Sequence, residues 1–223
     1  MLKETDNQGV WMEEGRRGTK FWTKNLIKGN QVYDEKIIRD EGIEYREWSN
    51  TKSKVGAALA KGICPLNLNE GDNVLYLGVA SGTTASHLSD IVGEKGMIFG
   101  IDIAPRVLRE LYFLAHKRKN IVPILANCAH PEEYDYRISQ VDFLVQDIAQ
   151  KAQVDIFLKN LKFLKKGGTG FLAIKARSID VTKQPIKIFE MVKKQLEEEN
   201  LNIVDYTDLE PFEKDHCVFV IEK

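Results

Sequence analysis

The chain predicts a doubly wound α/β sheet, mostly parallel with an antiparallel edge strand, behind a small β-rich N-terminal module. Three observations carry this expectation. Short apolar runs alternate with helical stretches that are apolar on one side only, from residue 53 onward. A glycine-containing loop follows the first run, and an aspartate closes the second.

Residues 1–52 are rich in glycine, charge and aromatics, with short candidate strands at Gly9–Met12 and Thr19–Trp22. The larger domain, 53–223, opens with a helix over Val55–Ala60, stopped by Gly62 and Pro65 before a turn at 69–72. Asn73–Leu77 is apolar throughout, as a strand buried on both faces must be. Ala85, Leu88, Ile91 and Val92 follow at helical spacing, with Gly93 as a stop. A second strand runs from Met97 to Ile103, and Pro105 suits the first turn of a helix carrying Val107, Leu108, Leu111, Leu114 and Ala115. Val122–Leu125 is a third strand and Val141–Val145 a fourth. Val154, Phe157, Leu158, Leu161 and Leu164 then share one side of a helix that Gly167-Gly168 ends. Gly170–Lys175 is the fifth strand, and Pro185 opens a helix with Ile186, Phe189, Val192 and Leu196. Ile203–Thr207 and Cys217–Ile221, joined by a polar loop, read as an antiparallel pair at the sheet edge. Strand-helix alternation of this kind implies a three-layer sandwich.

With 223 residues, 43% hydrophobic and 29% charged, the chain can bury one substantial core and an appendage. No apolar run approaches the roughly 18 residues of a membrane span. The opening Met1-Leu2-Lys3-Glu4-Thr5-Asp6 lacks the basic-then-apolar layout of a signal peptide, so a cytoplasmic protein without a membrane segment is expected. Cys64, Cys128 and Cys217 are odd in number and widely spaced, which suggests reduced thiols rather than disulfides or zinc; no metal is expected. The net charge of −1 gives no global attraction for a polyanion. Basic stretches at Arg16, Arg17, Lys20, Lys24 and Lys28, and at Lys117, Arg118 and Lys119, read as solvated faces.

In such sheets ligands bind beyond the carboxyl ends of the strands. The loop Gly78-Val79-Ala80-Ser81-Gly82-Thr83-Thr84 lets backbone approach a ligand closely and adds hydroxyls at a helix start. Asp102, 20 residues after Gly82, is placed to accept from both hydroxyls of a ribose. The loop is neither G-x-G-x-x-G nor a G-x-x-x-x-G-K-S/T cradle, which weakens NAD and ATP and favours a nucleoside without phosphates, such as S-adenosylmethionine. Asn127-Cys128, Asp147-Ile148-Ala149-Gln150, Lys175 and His216 stand at the remaining strand ends.

These residues resemble the fibrillarin family of RNA 2'-O-methyltransferases, in its short form without a Gly/Arg-rich tail, over nearly the whole chain. Val32-Tyr33 and Glu41–Trp48 are similar to the family's "VYGE…DGVEYREW", and Ser53-Lys54 to the start of "RSKLAAAI". Tyr76–Thr84 resembles "YLGAASGTT", Pro105–Leu111 "PRVLREL", and Gln146–Gln150 "QDVAQ"; Lys175–Ser178 and Lys214–His216 complete the match. Leu164–Gly168 is similar to the Leu-Lys-Pro-Gly-Gly turn of class I methyltransferases, without its proline.

The resemblance implies a class I, Rossmann-like methyltransferase fold and methyl transfer from S-adenosylmethionine to a ribose 2'-hydroxyl of ribosomal RNA, with transfer RNA a further candidate. It places Gly78, Thr83, Thr84, Asp102, Ile103, Asn127, Cys128, Asp147, Ile148, Ala149 and Gln150 around the cofactor. It implies a catalytic set of Lys54, Asp147, Lys175 and His216, in which Asp147 would hold Lys175. It further implies a box C/D guide RNA, a Nop-type scaffold protein and a kink-turn-binding protein as partners. The family has Asp-Ala where this chain has Asn127-Cys128; an asparagine can still accept from an adenine amino group through its carbonyl oxygen. A free lysine titrates near about 10.4, so Lys175 is a base only if burial or a neighbouring cation lowers it, and otherwise orients the hydroxyl. A structural subunit without turnover and an NAD-type dehydrogenase are the competing readings.

Overall fold

A computed structural model describes residues 2–15 and 18–223; Arg16 and Arg17 of the first basic stretch lie outside them. In the N-terminal module, β2 (Val10–Gly15) and β3 (Gly18–Lys24) pair antiparallel with Trp11 opposite Trp22. Two further strands that the sequence reading left unassigned, β4 (Ile37–Asp40) and β5 (Ile43–Trp48), turn through Glu41 and Gly42. Both turn residues have positive φ, 49° and 81°, the backbone that a two-residue hairpin demands. With β1 (Lys3–Glu4) these strands form an antiparallel sheet in the order β1-β2-β3-β5-β4.

The second sheet begins after α1 (Lys54–Ala60), whose N-cap Ser53 accepts the Gly56 N–H through its hydroxyl. Its elements are β6 (Asn73–Leu77), α2 (Thr83–Val92), β7 (Met97–Asp102), α3 (Pro105–Lys117), β8 (Ile121–Leu125), β9 (Val141–Asp147), α4 (Gln153–Asn160), β10 (Leu164–Lys175), α5 (Ala176–Ile179), α6 (Pro185–Glu198), β11 (Asn202–Asp208) and β12 (His216–Glu222). The strand order is β11-β12-β10-β9-β6-β7-β8. From β10 to β8 every pairing is parallel, while β12 runs against both neighbours, so the last two strands form the antiparallel pair at the edge.

Successive strand residues face opposite cores, as the two-residue period requires. Val74, Tyr76, Phe143, Val145 and Phe171 pack with α1, α2 and α3, whereas Leu75, Leu77, Leu144 and Leu172 pack with α4 and α6. Val10 and Trp48 join the first of these cores, so the N-terminal sheet shares it.

Two details depart from the expected pattern. The fourth helix stops at Asn160 rather than at Gly167-Gly168: residues Leu161–Phe163 tighten into a 3-10 turn, and Leu164 already pairs with Val141 as the start of β10. In α6, Ile186 is exposed and Ile188 takes the buried place beside Phe189, Val192 and Leu196.

The seam between the two sheets is ionic as well as apolar. Arg46 of β5 bonds Glu35 at 2.6 Å and Asp90 of α2 at 2.7 Å, and Arg118 bonds Asp90 at 2.6 Å, with all four side chains buried. Arg118 is therefore a core cation and not part of a solvated basic face. His87 stacks on Trp48 at 4.9 Å and contacts Thr23 Oγ1 through Nδ1 (2.7 Å) and Tyr33 OH through Nε2 (2.6 Å). Thr23 gives its one hydrogen to Asp90, so the ring proton sits on Nδ1. Burial, reinforced by Arg46 and Arg118, holds the imidazole well below its usual range. Among the described residues, no helix is long and apolar enough to cross a membrane.

Candidate active site

The parallel strands end together, and three of their loops touch. Gly78, just after β6, has φ of 78°, and a Cβ there would fall 2.2 Å from the Asp147 carbonyl oxygen at the end of β9. Gly82 caps α2 with φ of 97°, where a Cβ would strike the Leu111 side chain at 2.5 Å. Both glycines are thus required by close approach and by backbone conformation. Between them Ala80, at φ 52°, points its N–H to Asp102 Oδ2 (3.0 Å), while Asp102 Oδ1 accepts from Ala104 N–H (2.8 Å). The carboxylate is oriented by backbone, and each oxygen keeps a further lone pair for a ligand.

Around Asp102 the surface is apolar. Ile103 after β7 is 57% exposed and Leu125 at the end of β8 is 55% exposed, with Ile148 half-buried after β9. Cys128 is buried, and burial together with the Asp102 charge pushes its thiol up to about 12. It is a neutral, packed group. Asn127 uses its side-chain carbonyl oxygen on the Ala129 N–H at 3.0 Å, so one of the two lone pairs expected for a ligand is already taken. Thr83 opens α2; Thr84 is buried, with Oγ1 2.9 Å from Ser53 Oγ, and so serves the packing of α1 on α2. Ala149 is exposed and Gln150 half-buried in the turn that follows.

The four residues expected to act on the substrate come from four elements at the same end of the sheet. Lys54 begins α1 and its Nζ lies 3.0 Å from Asp147 Oδ2. Lys175 ends β10, directly across from His216, which begins β12. Contrary to the expected pairing, Asp147 therefore holds Lys54; among the described residues the exposed Lys175 ammonium has no hydrogen bond to protein. The reason is tertiary: α1 brings Lys54 onto the end of β9, while Lys175 ends the neighbouring strand with its side chain in solvent. His216 Nδ1 sits 2.6 Å from the Lys214 carbonyl oxygen, so the ring proton is on Nδ1 and Nε2 carries the lone pair. Burial and the Lys54 charge hold this imidazole below its usual range, outweighing the Lys214 carbonyl, Glu213 and Asp147.

Four residues around the site carry no role in the sequence analysis. Ser53 joins Trp48 Nε1 (2.9 Å), the α1 cap and Thr84. Tyr76 is buried, its phenol raised by burial and by the nearby Asp147 charge, with a hydrogen bond to Thr84 opposing. Gln153 and its neighbour Gln146 are completely buried polar side chains, and a glutamine on the apolar side of α4 was the signal available in the sequence.

The Fibrillarin family model matches residues 1–223. The chain belongs to the fibrillarin family. A fibrillarin-like rRNA/tRNA 2'-O-methyltransferase of Pyrococcus abyssi (strain GE5 / Orsay) is 50% identical over 205 residues, covering 92% of this chain and 90% of its own length. Among solved structures, Aeropyrum pernix fibrillarin in complex with natively bound S-adenosyl-L-methionine matches with a TM-score of 0.90 at 44% identity, over 99% of this chain and 97% of that one. A fibrillarin/Nop5p complex matches with a TM-score of 0.88 at 36% identity, over 99% and 100% of the two chains. Membership of the fibrillarin family sets the dehydrogenase reading aside, and the sheet is that of a class I methyltransferase.

Proposed function

We propose that this chain transfers a methyl group from S-adenosylmethionine to the ribose 2'-hydroxyl of ribosomal and transfer RNA. The residues present fit such a cofactor. The loop Gly78–Thr84 contains no lysine or arginine to neutralise a pyrophosphate, Asp102 is oriented with lone pairs to spare, and exposed apolar side chains flank it. Gly78, Thr83, Asp102, Ile103, Asn127 and the Asp147–Gln150 turn would hold the nucleoside and amino-acid parts, with Cys128 and Thr84 packing beneath. When bound, the cofactor supplies a methyl group already activated by its positive sulfur.

The task left to the protein is alignment of the attacking oxygen. Lys175 offers an exposed ammonium that donates to the substrate oxygen and orients it. Asp147 fixes Lys54 and adds negative charge close to the cationic donor site. His216, neutral with its proton directed to the Lys214 carbonyl, keeps Nε2 free to accept the hydroxyl proton. The observation that carries this reading is the convergence of the Lys54–Asp147 pair and the adjacent Lys175 and His216 on the edge that holds the glycine loop and Asp102.

Target choice is assigned to partners: a box C/D guide RNA that pairs with the substrate, a Nop-type scaffold and a kink-turn-binding protein. A near-neutral chain with a net charge of −1 supports this, because it has little affinity of its own for RNA to offer. Residues 1–52 would form the anchoring module and 53–223 the catalytic domain. The test is methyl transfer from labelled S-adenosylmethionine to a guide-matched RNA within the assembled particle, beside the same RNA with a 2'-deoxy target. Label confined to the hydroxyl-bearing RNA is expected; label in both, or in neither despite cofactor binding, would overturn the assignment.

A further inference from the structure

β9 ends before β10 does: their last parallel pair is Asp147 with Ala173, two residues short of Lys175. The backbone N–H and C=O of Lys175 on that side have no strand to meet. Gln153, the first residue of α4 and fully buried, fills the gap with its side chain. Its Oε1 accepts the Lys175 N–H at 3.0 Å and its Nε2 donates to the Lys175 carbonyl at 3.0 Å. A primary amide used this way reproduces one rung of a β-ladder. The backbone carbonyl of Gln153 accepts from Gln146 Nε2 at 2.7 Å, so a second buried glutamine fixes the main chain from which the Gln153 side chain reaches Lys175. On its other side Lys175 stands in register with His216. The backbone of Lys175 is thus held from both sides while its ammonium is exposed.

Clamping both backbone groups fixes φ and ψ of Lys175, at −99° and 101°, and with them the direction of its Cα–Cβ bond. A side chain that is itself unpaired must take its aim from that bond. We infer that Gln153 is a positioning residue that aims Lys175 at the substrate hydroxyl. The inference rests on the role proposed for Lys175. It explains why a fully buried polar side chain sits beside Val154, Ile156 and Phe157 at the start of α4, where a leucine would leave both Lys175 backbone groups unmatched.

The experiment uses the full chain assembled with its partners and guide-matched RNA, and compares Gln153→Ala, Gln153→Glu and Lys175→Ala. Single-turnover methyl transfer at saturating cofactor is read beside the cofactor Kd and the melting midpoint. Misplacement of a reacting group by about 1 Å costs up to about 100-fold, so Gln153→Ala should slow transfer by about 10- to 100-fold with the cofactor Kd within about twofold of wild type. Gln153→Glu keeps the acceptor for the Lys175 N–H but, ionised, has no hydrogen for its carbonyl, and should lie between wild type and Gln153→Ala. An unchanged rate in Gln153→Ala overturns the inference, as does a rate that falls only in step with weaker cofactor binding and a lower melting midpoint. Lys175→Ala separates the two levels: a wild-type rate there removes the role of Lys175, whereas an inactive Lys175→Ala beside a fully active Gln153→Ala removes the clamp alone.

Discussion

Lys54 Nζ stands 3.0 Å from Asp147 Oδ2 although 93 residues separate them in the chain, and this contact ties α1 to the end of β9, the central strand of the seven-stranded sheet. The pair is partly open to water, with side-chain exposures of 18% and 28%. Its contribution to stability is accordingly small. Lys54→Met should change unfolding free energy by no more than about 1 kcal/mol, yet lower single-turnover methyl transfer by about 10- to 100-fold by freeing Asp147 to shift. Denaturant titration and rapid-quench assays on the same variant separate the two effects.

Asp102 should govern cofactor affinity. Charge-assisted hydrogen bonds contribute about 1.5–3 kcal/mol each, so Asp102→Ala should weaken S-adenosylmethionine binding by about 10- to 100-fold or more. Titration calorimetry measures this directly, and an unaltered Kd would remove Asp102 from the site.

Gly78 tolerates no side chain. Alanine at φ 78° is strained by about 1–3 kcal/mol, and its Cβ would meet the Asp147 carbonyl at 2.2 Å. Gly78→Ala should therefore lower the melting midpoint and abolish cofactor binding together, because relief of the clash must displace the Asp147 turn.

Asp90 is the shared anion of two buried guanidinium groups. Asp90→Asn leaves Arg46 with Glu35 alone and Arg118 without a charged partner. A loss of about 3–5 kcal/mol in unfolding free energy is expected. A denaturation midpoint within error of wild type would show that the remaining hydrogen bonds suffice.

Acidification should destabilise the fold through His87. Its folded-state affinity for protons is held well below the free value of 6.5, so the unfolded chain binds the proton that the folded chain refuses. Stability is then complete above 6.5 and declines as the pH falls below it, by at most about 1.4 kcal/mol per pH unit for this one group. His216 is depressed in the same direction and steepens the decline. Replacing His87 with asparagine should flatten the slope between pH 6.5 and 5; an identical slope would assign the titration elsewhere.

Much of this architecture is legible in the sequence because the parallel sheet writes itself as short, wholly apolar runs, and because Pro105, Pro185 and Gly93 mark helix ends. The end of α4 is not legible. Leu161 and Leu164 continue a helical spacing, but a buried leucine suits a strand equally well, and only the pairing of Leu164 with Val141 decides. β4 and β5 are masked by charge, since Glu44 and Arg46 are buried by partners that no local pattern discloses. At the site, strand ends name the candidates, as for Asp102, Asp147, Lys175 and His216. They do not say which lysine meets Asp147, because that depends on how α1 packs against β9.

The ionic seam around Arg46 bears on how the chain can be divided. A protein shortened to begin at residue 53 would keep Asp90 and Arg118 but lose Arg46, Glu35, Thr23 and Tyr33, opening His87 and the face of α2 to water. It would also lose Trp48 from the Ser53 cap that starts α1 and so carries Lys54. The N-terminal sheet is therefore a wall of the enzyme rather than an attachment to it, and the two sheets should melt in one cooperative transition.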